Sequence, residues 1–354
     1  MRHAWLVILA TTGLLALPAR ASDDDPHQWL ERMSEALASR NYTGVFTHAT
    51  RRQSETMRIV HRVSKGASTE RLVSLDGNGR EIVRTAEEVH VYLPDRRVVL
   101  VEPRSDSGLL LDALPEPGPE LDAMYVLQLR DGHKLLGRDV RVLDIMPRDG
   151  LRYGYRLWLD EDTAMPLRTM VLDRGGRPVE VINFTQIEMP RHIDAKATEP
   201  SIDASGFKWV RTARHPQVAP PPQVAWRPTR LPPGFRLVAS RIQVVPGVAF
   251  PVQHLIFSDG FASISVFIEP ARPAGPAPPE SSSVGSANAF STVVHGRVVT
   301  AVGEVPLETV RDVARSVAPD AAPSSAPVDE GAMAAPAAAD QVISAPGATA
   351  LQPR

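Results

Sequence analysis

The chain has 354 residues, 43% of them hydrophobic and 23% charged, so at roughly 150 residues per domain it can build about two domains with real cores. Its 39 Lys and Arg against 41 Asp and Glu give a formal charge of −2, with the arginines dispersed and few aromatics between them, which argues against a nucleic-acid partner. The absence of cysteine excludes disulfides, thiol catalysis, thiolate metal sites and lipid attachment through an N-terminal cysteine.

Residues 1–21 read as a signal peptide. Arg2 is the positive end, Ala4 to Leu17 the apolar run, and Ala19-Arg20-Ala21 places small residues where a signal peptidase cuts. The run is short for a bilayer span. Cleavage after Ala21 would remove Arg2 and Arg20 and take the charge to −4. Asp25 then caps a helix with Pro26 at its first position and Gln28 completing a capping box; Trp29, Met33, Ala36 and Leu37 form its apolar stripe, and Asn41 suits a left-handed ending.

From Asn41 to Pro103 the chain is a succession of short strands: Thr43–Thr50, Thr56–Val63, Ser68–Leu75, Glu81–Thr85, Val89–Leu93 and Arg97–Glu102. Lys65-Gly66, Asp76-Gly77-Asn78-Gly79 and Pro94-Asp95 supply the turns. Strands so close in sequence must pair antiparallel, because a parallel crossover needs a dozen residues or more. Met57, Ile59, His61 and Val63 share one face and Arg58, Val60 and Arg62 the other, so His61 is expected to be a core or rim histidine with a satisfied hydrogen bond.

Between Ser105 and Gln128, Leu109, Leu110, Leu111 and Leu114 precede a rigid Pro115-Glu116-Pro117-Gly118-Pro119, and Met124, Tyr125, Val126 and Leu127 follow it. These residues suit either a short core helix or a flap over an apolar cavity, where Leu and Met would accept lipid tails. Strands resume at Arg138–Met146, Leu151–Asp160, Pro166–Asp173 and Pro178–Glu188. Leu151, Tyr153, Tyr155, Leu157 and Leu159 alternate with Arg152, Gly154, Arg156 and Trp158, which puts Arg152 on the wet side of a half-buried strand. Ten or so strands with a flanking helix predict a strongly curved sheet with a concave apolar interior.

Residues 212–229, with prolines reaching Pro233, read as an extended linker. A second domain over residues 230–318 starts with strands at Arg236–Val245 and Val252–Phe257. It turns at Ser258-Asp259-Gly260 into Phe261–Glu269, where Ala262, Ile264, Val266 and Ile268 face one way. Pro270 to Ala289 is expected to be a mobile loop, Ser291–Thr300 a hairpin turning at His295-Gly296, and Pro306 the start of a helix with Val310, Val313, Ala314 and Val317 on one face. Residues 319–354 are a low-complexity Ala/Pro/Ser tail, expected to be disordered. The fold class is therefore α+β, mainly antiparallel β: an N-terminal half-barrel with covering helices over residues 22–211, plus a smaller C-terminal sheet domain with a helix.

Catalytic patterns are missing. The ten histidines show no close helical pair, and there is no Gly-x-Ser-x-Gly, Walker loop or dinucleotide fingerprint. Ser258 and Asp259 near His254 invite a triad, but neighbours along a hairpin point to alternating faces and Ser-Asp-Gly is ordinary turn chemistry. Asp160-Glu161-Asp162 reads as a solvated turn. No cofactor, metal or enzymatic activity is expected.

Several runs, in order, resemble the RseB/MucB family of periplasmic regulators of the sigma-E anti-sigma factor. They are Arg58-Ile59-Val60-His61-Arg62-Val63, Glu70 to Gly77, Val91-Tyr92-Leu93-Pro94-Asp95, Tyr153 to Asp160, Leu231-Pro232-Pro233-Gly234-Phe235, Ser258-Asp259-Gly260 and Ser265 to Pro270. The resemblance implies an N-terminal domain similar in fold to LolA-type lipoprotein carriers. It also implies a protein that binds the periplasmic segment of a single-span inner-membrane anti-sigma factor of the RseA/MucA type, shields it from site-one proteolysis, and is released by an amphiphile such as lipid A or a mislocalised lipoprotein. On this view Leu109, Leu110, Leu111, Leu114, Met124 and Tyr125 are candidate lipid contacts, and His254, Phe257, Ser258, Asp259, Gly260 and Phe261 candidate partner contacts. A homo-oligomer stays open, and the alternative activity is a periplasmic lipid or lipoprotein carrier.

Overall fold

The computed structural model describes residues 25–77, 79–104, 119–211, 226–243, 251–269 and 279–319. The signal peptide, Leu109, Leu110, Leu111, Leu114, residues 212–225 of the expected linker and the tail beyond Pro319 lie outside the described residues.

Helix α1 (Pro26–Ser39) starts where Asp25 accepts a hydrogen bond from the His27 backbone N–H at 3.0 Å, and it buries Trp29, Leu30, Met33 and Ala36. It ends differently from the expectation, with Arg40 in extended backbone (φ −91°, ψ 141°) that leads straight into a strand. Asn41 uses its side chain instead, accepting from the Val63 N–H at 2.8 Å and donating to the Arg191 carbonyl at 3.0 Å.

The meander is β1 (Tyr42–Thr50), β2 (Ser54–Ser64), β3 (Ala67–Ser74), β4 (Glu81–Arg84), β5 (Glu88–Leu93) and β6 (Val98–Pro103), each pairing antiparallel with the next. Then come α2 (Pro119–Met124), β7 (Tyr125–Asp131), β8 (Val140–Pro147), β9 (Gly154–Asp160), β10 (Pro166–Leu172), β11 (Pro178–Glu188) and β12 (Lys208–Arg211). Strand β11 pairs with β1 and β12 runs parallel to β6, giving one 12-stranded sheet in the order β12-β6-β5-β4-β3-β2-β1-β11-β10-β9-β8-β7. Its two end strands do not meet, so the sheet is open. His61 fulfils its expected role: it is buried, its ring stacks on Tyr42 at 4.7 Å, and its Nδ1 lies 3.0 Å from Glu70. Burial alone would raise the Glu70 pKa, but His61 and Arg84 hold it below the usual range.

The second sheet contains β14 (Arg236–Gln243), β15 (Val252–Ser258), β16 (Ser263–Glu269), β17 (Glu280–Val284), β18 (Ala287–Val294) and β19 (Arg297–Gly303), in the order β14-β15-β16-β19-β18-β17. Helix α3 (Leu307–Arg315) covers one face, burying Val310, Val313 and Ala314 against Leu255, Ile264, Val266, Phe290 and Val299. Two expectations are corrected. Part of the presumed linker is strand β13 (Trp226–Pro228), which pairs with β20 (Val317–Pro319), because Pro228 can be buried where no ladder N–H is needed. The second half of the presumed mobile loop is the β17–β18 hairpin, whose polar Ser-rich strand is an edge strand and needs no apolar alternation.

Candidate functional site

Described residues of both sheets belong to one compact unit, 1–319, and the chemistry concentrates where the sheets meet. Sequence alternation assigned Arg152 to solvent, yet it is 1% exposed. It lies just before β9 begins, where the chain is still a bend, and its guanidinium turns inward to a partner on the other sheet. Its Nη1 is 2.5 Å from Asp259 Oδ2, Nη2 donates to the Pro233 carbonyl at 2.6 Å, and Asp149 accepts from Nε at 3.2 Å. The planar cation also lies 5.5 Å from the Tyr125 ring and 5.4 Å from that of Phe235.

Asp259 is equally well satisfied. Its Oδ2 accepts from the Tyr125 hydroxyl at 3.0 Å, and Oδ1 from the backbone N–H of Phe261 and Ala262 at 3.0 and 2.8 Å. Phe261 then packs between Tyr125 (5.0 Å) and Tyr155 (5.7 Å). Burial, then the charge of Asp259, pushes the Tyr125 hydroxyl far above its usual range, so it stays a donor. Burial alone would depress Arg152, but Asp259 outweighs it and holds the guanidinium charged. The loop bringing the Pro233 carbonyl here requires glycine next. Gly234 has φ +82°, and a Cβ on it would sit 1.8 Å from Met124 Sδ.

A second set of contacts flanks the first. Thr309 Oγ1 on α3 donates to the Leu151 carbonyl at 2.8 Å, and Asn288 Nδ2 donates to the Tyr153 hydroxyl at 3.0 Å and the Val305 carbonyl at 2.7 Å. Glu180 of β11 accepts from the Ser286 N–H at 2.9 Å in the β17–β18 turn, while His48 Nε2 of β1 lies 2.7 Å from its other oxygen. The bond to Glu180 raises the His48 pKa; burial would raise that of Glu180, but His48 and Ser286 lower it. Beside them opens a cavity of about 370 Å³, lined by the β1–β2 turn (Thr50 to Gln53), Tyr153, Val179 and the β17–β18 turn with Asn288. A volume of several hundred Å³ at a junction is typical of ligand clefts.

The structure thus brings together two groups that the sequence kept apart. Tyr125, a candidate lipid contact, touches the Ser258–Phe261 turn of the candidate partner surface, and Met124 beside it meets Arg152, which pairs with Asp259 of that turn. In this arrangement Asp259 and Phe261 are engaged by their own chain, and Phe257 is 4% exposed in the second core. Ser258 Oγ donates to the Ala262 carbonyl, and the His254 ring stacks on Phe267 at 4.2 Å with neither nitrogen hydrogen-bonded among the described residues, so no triad forms. Burial first and Arg241 second push His254 down to about 4. Sequence reasoning missed Arg152, Glu180, His48 and Asn288; an arginine inside the apolar run Leu151 to Leu159 was the one available signal.

An apolar row remains half-covered. Leu72, Ile82, Val91 and Leu100 are register partners across β3 to β6 and share a face; Leu72 is buried, the other three only half-buried.

Residues 25–202 match the model of the MucB/RseB N-terminal domain, and residues 220–318 that of the MucB/RseB C-terminal domain. The sigma factor AlgU regulatory protein MucB of Pseudomonas aeruginosa is 34% identical over 87% of this chain and 95% of its own length. The sigma-E factor regulatory protein RseB of Escherichia coli is 26% identical over 89% of this chain and 97% of its own length. Among solved structures, MucB in complex with MucA(peri) matches at a TM-score of 0.66 and 33% identity, covering 84% of this chain and 100% of that one. A crystal structure of MucB matches at a TM-score of 0.54 and 30% identity, with 84% and 98% covered.

Proposed function

The chain belongs to the MucB/RseB family of sigma-factor regulatory proteins, and on that premise we propose that it acts in the periplasm on a MucA/RseA-type anti-sigma factor. It binds the periplasmic segment of that single-span protein and shields it from site-one proteolysis. The logic is steric: a segment held on a folded surface cannot enter a protease cleft. The observation that carries this reading is that the family match runs through both sheets, which the buried Arg152–Asp259–Tyr125 cluster joins into one body. No helix among the described residues is long and apolar enough to cross a membrane.

Release follows from an amphiphile, lipid A or the acyl chains of a mislocalised lipoprotein, taken up on the apolar row of Ile82, Val91 and Leu100. The leucines Leu109, Leu110, Leu111 and Leu114, which follow β6 in sequence, belong to the same proposal. Such a ligand weakens the grip on the segment only if it binds the free and occupied forms unequally. The Ser258–Phe261 turn contributes by fixing how the second sheet is presented to the segment.

The half-buried row also favours a second reading, a lipid or lipoprotein carrier. A pull-down of the anti-sigma periplasmic segment from the same cell, repeated with lipid A, separates them. The regulator retains the segment and loses it to lipid A; a carrier retains the lipid and ignores the segment.

A further inference from the structure

Strand β17 ends the second sheet, and its outer side has no strand partner among the described residues. Its hairpin closes through two residues, with Gly285 at φ +60°. That makes Val284 and Ala287 a hydrogen-bonded pair, and by alternation Ser282 with Ala289 and Glu280 with Ser291. Ser281 and Ser283 therefore turn their backbone N–H and C=O outward. Among the described residues the strand itself carries little protection: it has no proline or lysine, its one charge, Glu280, stands at the far end, and Val284 is 72% exposed.

The cavity at the junction opens beside the near end of this edge, and its other wall is basic. Arg51 reaches Asp173 at 2.6 Å, but Arg177 shares that carboxylate at 3.3 Å, and Arg52 makes no ion pair among the described residues. Arg51 and Arg177 thus share one carboxylate, and Arg52 adds a positive charge to the cavity lining without a carboxylate partner among the described residues. Of the other acids around the cavity, Glu180 is committed to His48 and Ser286 and Glu55 to Arg80, while Glu308 lies near Tyr153.

From this juxtaposition we infer that the cleft takes an extended acidic peptide segment, which adds as a strand to the outer edge of β17 and sets an acidic side chain against Arg52. An open row of backbone donors and acceptors selects a peptide over an isolated anion. Guanidiniums at one end and Glu280 at the other set where along the segment the acid must fall. The inference rests on the anti-sigma reading for the source of the segment and adds the surface that holds it.

The test measures the affinity of the full chain and two variants for the anti-sigma periplasmic segment. Ser281→Pro removes an outward N–H that the hairpin does not use, and Arg52→Glu reverses an exposed charge. Each variant is expected to bind about tenfold more weakly or worse at unchanged thermal stability, and the Ser283 amide of the unaltered chain to gain hydrogen-exchange protection when the segment is added. If the unaltered chain binds while Arg52→Glu binds equally well and Ser283 gains no protection, the cleft assignment is wrong and the anti-sigma reading stands. If the unaltered chain does not bind, both fall. Phosphatidylcholine vesicles doped with phosphatidylglycerol form the control arm: vesicle binding that Arg52→Glu abolishes, beside unchanged segment affinity, would assign the basic wall to a membrane and overturn the peptide.

Discussion

Arg152 and Asp259 are the residues on which the junction depends most. A buried charge that loses its partner costs about 3–5 kcal/mol, whereas replacing both partners by apolar groups removes the penalty along with the attraction. Arg152→Ala is therefore expected to lower unfolding stability by about 3–5 kcal/mol in a denaturant titration, and Arg152→Met combined with Asp259→Leu by clearly less than the sum of the single changes. Equal and additive losses would deny the coupling. His254 gives a pH prediction. Folded, it titrates near 4, against 6.5 unfolded, so between those values the unfolded state binds the extra proton and stability falls on acidification. In His254→Leu the loss between neutral pH and about 4.5 should shrink by about 2 kcal/mol, measured as unfolding free energy across the window. His254 was legible as a noncatalytic residue, since Ser258 and its neighbour Asp259 alternate in facing and Ser-Asp-Gly is ordinary turn chemistry. Arg152 was not legible, because its charge is satisfied by a carboxylate 107 positions away that strand periodicity cannot see.

The hairpins could be read from the chain because their physics is local. Met57, Ile59 and His61 alternate with Arg58, Val60 and Arg62, and His295 (φ 49°) with Gly296 (φ 76°) gives a two-residue turn where the dipeptide suggested one. Elements whose partners are distant escaped. Strand β7 follows a proline-broken stretch and is fixed by its pairing with β8, and β17 carries three serines in a row, fixed by pairing with β18. The His48–Glu180–Ser286 contact between β1, β11 and the β17–β18 turn has its own pH signature. The raised His48 pKa contributes stability present below its unfolded value of 6.5 and lost as pH rises through the folded value. The lowered Glu180 pKa contributes stability present above 4.5 and lost as pH falls through its folded value. The penalty of His48→Gln relative to the unaltered chain should be largest between about 4.5 and 6.5 and should fade above that range. A penalty independent of pH would make the contact a plain neutral hydrogen bond.

At the scale of the whole molecule, the two sheets work as one surface only while the junction holds. Gly234→Ala tests this directly: a Cβ there meets Met124 and φ +82° is strained for alanine, so the Pro233 carbonyl should withdraw from Arg152. The variant should keep both cores, with two separable thermal transitions replacing one. The fold class and family were legible from strand patterning and a handful of ordered motifs. The way the sheets dock was not, since it depends on Arg152, Asn288 and Glu180 meeting residues of the other sheet. The most direct measurement is a titration of the anti-sigma periplasmic segment into the full chain, with and without lipid A. Saturable binding that lipid A weakens is expected; a chain that holds lipid A yet leaves the segment unbound would contradict the regulator's role.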